Sequence, residues 1–128
     1  MIGVDLGTTH VRIHVKGRGV VLREPAVIAV LKGTTDVKAV GEEAYRMIGR
    51  TPGAITAVRP MADGVIADYT LTERMLKAFV GKILTGPSRF LRPTIMVCIP
   101  SGITEVERRA VLQAVHEIGA RKALLIEE

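Results

Sequence analysis

The chain is poor in aromatic residues and in cysteine. Its 128 residues include two Phe, two Tyr, no Trp and one cysteine, Cys98. A single cysteine excludes an intrachain disulfide, and because Cys98 lies inside an apolar run we interpret it as a small buried hydrophobic residue without a catalytic role. The few aromatic rings provide no stacking platform for bases. The net charge of +5, carried by dispersed basic residues, therefore favours a basic solvated surface and no nucleic-acid partner.

Long apolar runs are also missing. No run reaches the length needed to cross a bilayer, and the chain opens on a strand pattern without the features of a signal peptide. We therefore expect a cytoplasmic location. Hydrophobic residues still make up 48% of the chain, which is enough for one compact unit with a core of its own.

The first fifteen residues, MIGVDLGTTHVRIHV, predict a β-hairpin with a small polar tip. Apolar residues recur at every second position on both sides of Gly7-Thr8-Thr9-His10. Gly7 can adopt a positive φ and let the backbone approach a ligand. The successive N–H groups and the hydroxyls of Thr8 and Thr9 then converge on one point, which suits the oxygen atoms of a phosphate.

Asp5 lies at the end of the first of these strands, where burial of a carboxylate is costly unless it is paired, hydrated or close to a cation. A Mg²⁺ ion reached through water is one solution. The alternative is that Asp5 accepts hydrogen bonds from the N–H groups of its own turn, as in many Gly-Thr-Thr turns that bind no ligand. On spacing alone, this structural interpretation is favoured.

The next part of the chain predicts the end of a meander and an insertion. Residues 20–31 read as a third strand broken at Pro25, which marks an edge or the point where the strand leaves the sheet. Residues 32–59 contain only short elements with few large apolar residues, so we interpret them as an inserted subdomain. The main unit then comprises residues 1–31 and 60–128.

Two capped helices and a βαβ unit follow. Thr70 with Glu73 and Thr104 with Glu107 fit capping boxes. The predicted inner faces of the two helices contain Leu76, Phe79, Val80, Ile83 and Leu84 in the first, and Val106, Ala110, Val111, Ala114, Val115 and Ile118 in the second. The apolar run 94–99 predicts a central strand buried on both faces, and residues 122–126 predict a parallel neighbour.

Two short segments carry possible functions. Glu127 and Glu128 follow the last strand, at the sheet edge where the hairpin tip also lies, so a carboxylate could orient a water beside a phosphate. The alternative is two solvated glutamates. Phe90 and Leu91 stand between arginines in a predicted loop. They either fold back over the preceding helix or enter a membrane surface while the arginines meet anionic headgroups.

The order of these elements resembles the actin, Hsp70 and sugar-kinase superfamily, and longer stretches resemble its MreB family of bacterial actins. The matching stretches are IGVDLGTTHV, GVVLREPAVIAV, AVGEEAYRMIGRTPG, VRPMADGVIADYT, CIPSGITEVERRAV and LLIEE. They cover almost the whole chain. The resemblance implies an α/β, actin-like (ribonuclease H-like) fold, with residues 1–31 and 60–128 as subdomain IA and residues 32–59 as subdomain IB.

The resemblance also implies functional residues. It assigns Asp5 to the Mg²⁺ bound with ATP, a phosphate loop to Gly7, Thr8, Thr9 and His10, polarisation of the attacking water to Glu128, and membrane insertion to Phe90 and Leu91. The family usually carries Ala-Asn at Thr9-His10 and an apolar residue at Arg12. In actin the position of Arg12 holds a lysine that contacts phosphate, so Arg12 becomes a candidate ligand of the β-phosphate.

The function implied is that of the N-terminal lobe of an ATP-dependent filament, peripheral on the inner face of the cell membrane, that directs rod shape and wall synthesis with membrane proteins of the MreC/MreD type. Family members are roughly two to three times as long as this chain. We therefore expect the piece alone to bind ATP weakly and to be catalytically inactive. The alternatives are another ATPase lobe of the superfamily, or a non-catalytic module that caps or joins filaments.

Overall fold

The computed structural model describes residues 1–50, 53–62, 65–84 and 92–127. These residues form strands and helices in the following order: β1 (Ile2–Leu6), β2 (His10–Val15), β3 (Gly19–Pro25), β4 (Ile28–Leu31), β5 (Val37–Val40), α1 (Glu42–Arg46), β6 (Ile55–Val58), β7 (Met61–Ala62), β8 (Val65–Ile66), α2 (Tyr69–Ile83), β9 (Thr94–Ile99), α3 (Glu105–Glu117) and β10 (Lys122–Glu127).

The main sheet has five strands in the order β10-β9-β1-β2-β3. The hairpin β1–β2 and the neighbouring pair β2–β3 are antiparallel, whereas β1, β9 and β10 run parallel. The predicted hairpin, meander and βαβ unit are therefore confirmed. The parallel strands have their carboxyl ends at one edge of the sheet, and this edge also carries the turn between β1 and β2.

Helices α2 and α3 contribute to the core of the molecule. The apolar set of β1, namely Ile2, Val4 and Leu6, is buried together with Met75, Leu76, Phe79 and Val80 of α2 and with Val111 and Val115 of α3. The alternation in β1 and β2 buries one face and leaves Asp5, Arg12 and His14 on the other.

The first turn of α2 differs from the sequence-based prediction, whereas the first turn of α3 agrees with it. The N-cap of α2 is Asp68, which accepts a hydrogen bond of 3.0 Å from the Leu71 N–H, so the predicted capping box of Thr70 and Glu73 is wrong. Two residues of the segment are suitable caps, and the one further upstream begins the helix. In α3 the capping box of Thr104 and Glu107 is confirmed.

Two predicted buried surfaces are only partly buried. In β9 the residues Ile95, Val97 and Ile99 are buried, but Thr94, Met96 and Cys98 of the opposite face are half-buried. In α3, Val106 is 77% exposed and Ala110 is exposed, because only the stripe of Val111, Ala114 and Val115 is buried. Both predictions assumed that more of each surface is packed against neighbouring elements than the described residues show.

A second, three-stranded sheet is built from β5, β4 and β6 in that order. It begins at Ile28, just after the break at Pro25, so the prediction that the strand leaves the main sheet there is confirmed. A small core of Val27, Ala29, Ala39 and Ala44 joins this sheet to α1. The division into subdomains at residues 32 and 59 stays a prediction.

Candidate functional site

The turn between β1 and β2 is closed by its own backbone. The Gly7 N–H donates to the His10 carbonyl at 3.0 Å. A Cβ atom at position 7 would lie 2.7 Å from that carbonyl oxygen. Gly7 does not adopt the positive φ that the sequence suggested. The position requires glycine because of this close approach of two backbone segments.

Asp5 lies one residue before the end of β1 and is half-buried. Its partners in register are Arg12 of β2 and Cys98 of β9. Within the described part of the chain, no hydrogen bond or ion pair engages its carboxylate. The alternative in which Asp5 bonds the N–H groups of its own turn is therefore wrong. A carboxylate in this position is suited to water or a hydrated cation.

Thr9 and His10 of the tip lie in contact with each other, and Arg12 lies further along β2. The Thr9 hydroxyl and His10 Nδ1 are 3.1 Å apart, and the Thr9 carbonyl accepts a hydrogen bond of 2.9 Å from the Ala26 N–H. This second contact fixes the turn to the segment that follows the break at Pro25. Arg12 is exposed, lies on the same face as Asp5 and pairs in register with Arg23 of β3.

The turn after β9 was missed by sequence reasoning. Residues 100–102, Pro-Ser-Gly, follow the strand that pairs with β1. Gly102 has a φ of 85°, and the α3 helix begins shortly afterwards. The positive end of the α3 dipole therefore also faces the edge that holds the hairpin tip. The available signal was a Pro-Ser-Gly sequence directly after a parallel strand.

Glu107, in the first turn of α3, holds this helix end in place. Its Oε2 accepts hydrogen bonds from the Tyr69 hydroxyl at 2.5 Å and from the Thr104 N–H at 3.0 Å. The hydrogen bond from Tyr69, followed by that from Thr104, lowers the pKa of Glu107 below its ordinary range. Burial and then the Glu107 carboxylate raise the pKa of Tyr69.

The acidic end of β10 is only partly described. Glu127 forms an ion pair with Arg108 of α3 at 3.3 Å, so its carboxylate is engaged on the helix side of the sheet, opposite Asp5. The predicted water-orienting residue, Glu128, lies outside the described residues. The same is true of Phe90 and Leu91. No helix in the described part of the chain is long and apolar enough to span a bilayer, and no group of three potential metal ligands occurs there.

The arrangement can bind an anion and a hydrated cation side by side. A tight turn supplies N–H groups and hydroxyls, an unengaged carboxylate lies next to it, and a helix N-terminus faces the same edge. Between β3 and β9 of the main sheet the chain forms the second sheet, so the architecture is a mixed sheet interrupted in sequence by a smaller one.

Solved structures support this architecture. MreB5 of Spiroplasma citri bound to ADP matches with a TM-score of 0.80 and 36% identity, over 98% of this chain and 37% of that one. A non-polymerising A278D mutant of MamK bound to AMPPNP matches with a TM-score of 0.75 at 21% identity, over 98% and 40%. That second likeness concerns the fold alone. The fold is α/β and actin-like.

Sequence comparison identifies the family. The chain matches the MreB/Mbl protein family over residues 1–128. It is 53% identical over 127 residues to the cell shape-determining protein Mbl of Bacillus cereus and 47% identical over 131 residues to the cell shape-determining protein MreB of Escherichia coli K12. The chain belongs to the MreB/Mbl family. These matches cover 99% of this chain but 38% of the length of the relatives.

Proposed function

We propose that the chain is the nucleotide-binding lobe of a bacterial actin-like protein that determines cell shape. The observation that carries this proposal is the Asp5 carboxylate, unengaged within the described residues, beside the backbone-closed turn from Gly7 to His10. A family relative has been solved with ADP and with AMPPNP. We infer that the hairpin tip is the part of this chain that meets the phosphates.

The proposed ligand is ATP with Mg²⁺, and the residues present fit it. Asp5 would hold the hydrated cation, which would neutralise phosphate charge when bound. Gly7 would keep the turn tight, because its N–H is donated to the His10 carbonyl. Thr8 would offer its backbone N–H group, and Thr9 its hydroxyl, to phosphate oxygens. His10 is a further donor at the tip, and Arg12 would reach the β-phosphate from the neighbouring strand.

Hydrolysis is the second part of the proposal. The carboxylate of Glu128 would accept a hydrogen bond from the attacking water and orient it toward the terminal phosphorus. ATP hydrolysis would be coupled to assembly. Because this chain spans 38% of its relatives, binding and hydrolysis are proposed for the whole protein, in which a further lobe would contact base and ribose.

Nucleotide binding is tested with Asp5→Asn and a matched control, His116→Gln, on the exposed side of α3. A fluorescent ATP analogue is titrated into the whole protein that contains this chain, with Mg²⁺ and again with a chelator. We expect Asp5→Asn to weaken binding at least about tenfold with Mg²⁺ and to remove most of the difference between the two conditions. Equal affinities and an equal Mg²⁺ effect in the wild type and both variants would contradict the proposal.

Filament formation and membrane attachment are proposed on the family relationship. A MamK double helical filament is among the matched structures, at 20% identity. We propose self-association, a peripheral position on the inner face of the cell membrane through Phe90 and Leu91, and partners of the MreC/MreD type in wall synthesis. Pelleting with ATP tests assembly. A loss of pelleted relatives when this chain is added would instead favour the capping module.

Attachment to lipid is tested separately. Co-sedimentation with liposomes compares the wild-type protein with the Phe90→Ser, Leu91→Ser variant. We expect the variant to remain in the supernatant, because burial of two large apolar side chains contributes about 3–6 kcal/mol to a contact with lipid. A variant that pellets like the wild type would refute the membrane role of this segment.

A further inference from the structure

A crevice of about 450 Å³ opens beside α1. We call it the arginine crevice. It is lined by Glu42, Tyr45, Arg46, Ile48, Arg50 and Arg59. Helix α1 and the turn after it supply five of these residues, and Arg59 follows β6. The antiparallel pairing of β4 with both β5 and β6 brings the two segments together.

The charge in the crevice is unbalanced. Arg46 forms an ion pair with Glu42 at 3.4 Å, one turn apart on α1. Arg50 and Arg59 form no ion pair with any residue that the structure describes. Three guanidinium groups thus face one carboxylate. A concave surface lined by charges of one sign concentrates the field inside it and attracts anionic groups.

One of these guanidinium groups is held by an aromatic ring. Arg59 lies over the ring of Tyr45, with 5.7 Å between the guanidinium carbon and the ring centroid. A stacked guanidinium keeps its N–H edge available, and this edge matches a carboxylate in a two-point contact. The contact with Tyr45 gives the Arg59 guanidinium a defined place on the wall of the crevice.

The wall of the crevice is also partly apolar. Tyr45 is 47% exposed and Ile48 is 43% exposed, and both are among the large hydrophobic residues exposed in the described part of the chain. A free phosphate ion would leave these two side chains in water. A flat bilayer would not follow a concave surface. A peptide that carries carboxylates next to an apolar side chain would use both parts of the wall.

We propose that the arginine crevice binds an acidic segment of a partner protein, with carboxylates on Arg50 and Arg59 and an aromatic or aliphatic side chain against Tyr45 and Ile48. The proposal is independent of nucleotide binding. It concerns a different sheet and residues with no assigned role in the proposed ATP site.

The test uses a fluorescein-labelled random copolymer of Glu and Tyr as the probe and fluorescence anisotropy as the readout. Arg50→Gln with Arg59→Gln removes the two crevice charges that have no ion-pair partner among the described residues. Arg18→Gln with Arg121→Gln is the matched control, since both are exposed and lie outside the crevice. Thermal unfolding followed by circular dichroism confirms that each variant is folded, and the nucleotide titration above gives a separate readout.

We expect the crevice variant to bind the copolymer about tenfold more weakly than the wild type and the control variant to differ by less than about twofold. Ile48→Ser should weaken the binding of the copolymer and leave the binding of poly-Glu unchanged. Equal weakening in both double variants would overturn the proposal, because it would reflect net charge alone. The proposal is also overturned if binding of phosphatidylglycerol vesicles or of inorganic phosphate depends on Arg50 and Arg59, whereas binding of the copolymer does not.

Discussion

The hydroxyl of Tyr69 donates a hydrogen bond of 2.5 Å to Oε2 of Glu107, and this contact joins the first turns of α2 and α3. The same oxygen accepts the N–H of Thr104 and so completes the capping box of α3. One carboxylate therefore fixes the start of a helix and its distance from a neighbouring helix. The end of α3 that it fixes faces the edge with the hairpin tip.

Tyr69→Phe tests this contact through pH. The pKa of Tyr69 is raised in the folded state by burial and by Glu107, so the unfolded chain loses this proton first as pH rises above 10. Stability from this group is present below that pH and lost above it. We expect urea unfolding to give a steeper alkaline loss in the wild type than in Tyr69→Phe. Tyr45→Phe, which removes a tyrosine hydroxyl but leaves the contact between Tyr69 and Glu107 intact, is the control.

At acid pH the same contact changes stability in the opposite direction, through Glu107. The pKa of Glu107 is lowered in the folded state, first by Tyr69 and then by Thr104. Its contribution is therefore present above the ordinary pKa of 4.5 and is lost as pH falls through the lowered folded value. Tyr69→Phe should make this acid loss smaller. Parallel stability curves for the wild type and Tyr69→Phe across both pH ranges would disprove the coupling.

Gly41→Ala is expected to loosen the joint between the two sheets. Gly41 has a φ of 68°, and an added Cβ would lie 2.1 Å from Oε1 of Glu24. That carboxylate accepts the Glu42 N–H at 3.1 Å and pairs with Lys82 of α2 at 3.3 Å. With a ψ of −136°, Gly41 lies outside the left-handed helical region, and a side chain there costs about 1–3 kcal/mol. Displacement of Glu24 adds about 1–3 kcal/mol.

Gly33→Ala separates these two costs. Gly33 has a φ of 80° and no atom within 4 Å of an added Cβ, so this variant carries the backbone cost alone. The free energy of unfolding from urea titration should fall further in Gly41→Ala than in Gly33→Ala. Equal losses would mean that Glu24 moves without cost and does not clamp the joint.

Local patterns predicted the elements that depend on neighbouring residues. Alternation of apolar residues identified β1 and β2, and Pro25 correctly marked the exit from the main sheet. The failures concern choices between equivalent local signals. Asp68 and Thr70 are both good caps, and the helical period includes Val106 although the first turn of α3 extends beyond the residues that cover it.

The candidate site also has features that the sequence could suggest and features that only the folded chain shows. Asp5 and the tip from Gly7 to His10 are adjacent in the chain, so spacing was enough to suggest a phosphate turn. The reason for glycine at position 7 is a distance between two backbone segments, which no residue pattern contains. The arginine crevice depends on the register of β4 with β6, and this register brings Arg59 close to Tyr45 only in the folded chain.

Gly7→Ala tests the tip itself. The added Cβ would lie 2.7 Å from the His10 carbonyl, so the turn must open, and we expect a loss of about 1–3 kcal/mol in stability together with weaker nucleotide binding. Gly3→Ala is the control, because its nearest atom would be 3.9 Å away. Thermal unfolding and the ATP-analogue titration measure both effects. A Gly7→Ala protein that matches Gly3→Ala in both would show that the turn tolerates the side chain.

Arg12→Leu tests the departure from the family pattern next to Asp5. A guanidinium on a phosphate oxygen contributes about 1.5–3 kcal/mol, so we expect at least about tenfold weaker binding of ADP and ATP. AMP, which lacks a β-phosphate, should bind as it does to the wild type. Arg23→Leu is the matched control, since Arg23 is also exposed and pairs with Arg12 in register. An equal loss in both variants would indicate a general field, and unchanged affinity in Arg12→Leu would remove Arg12 from the site.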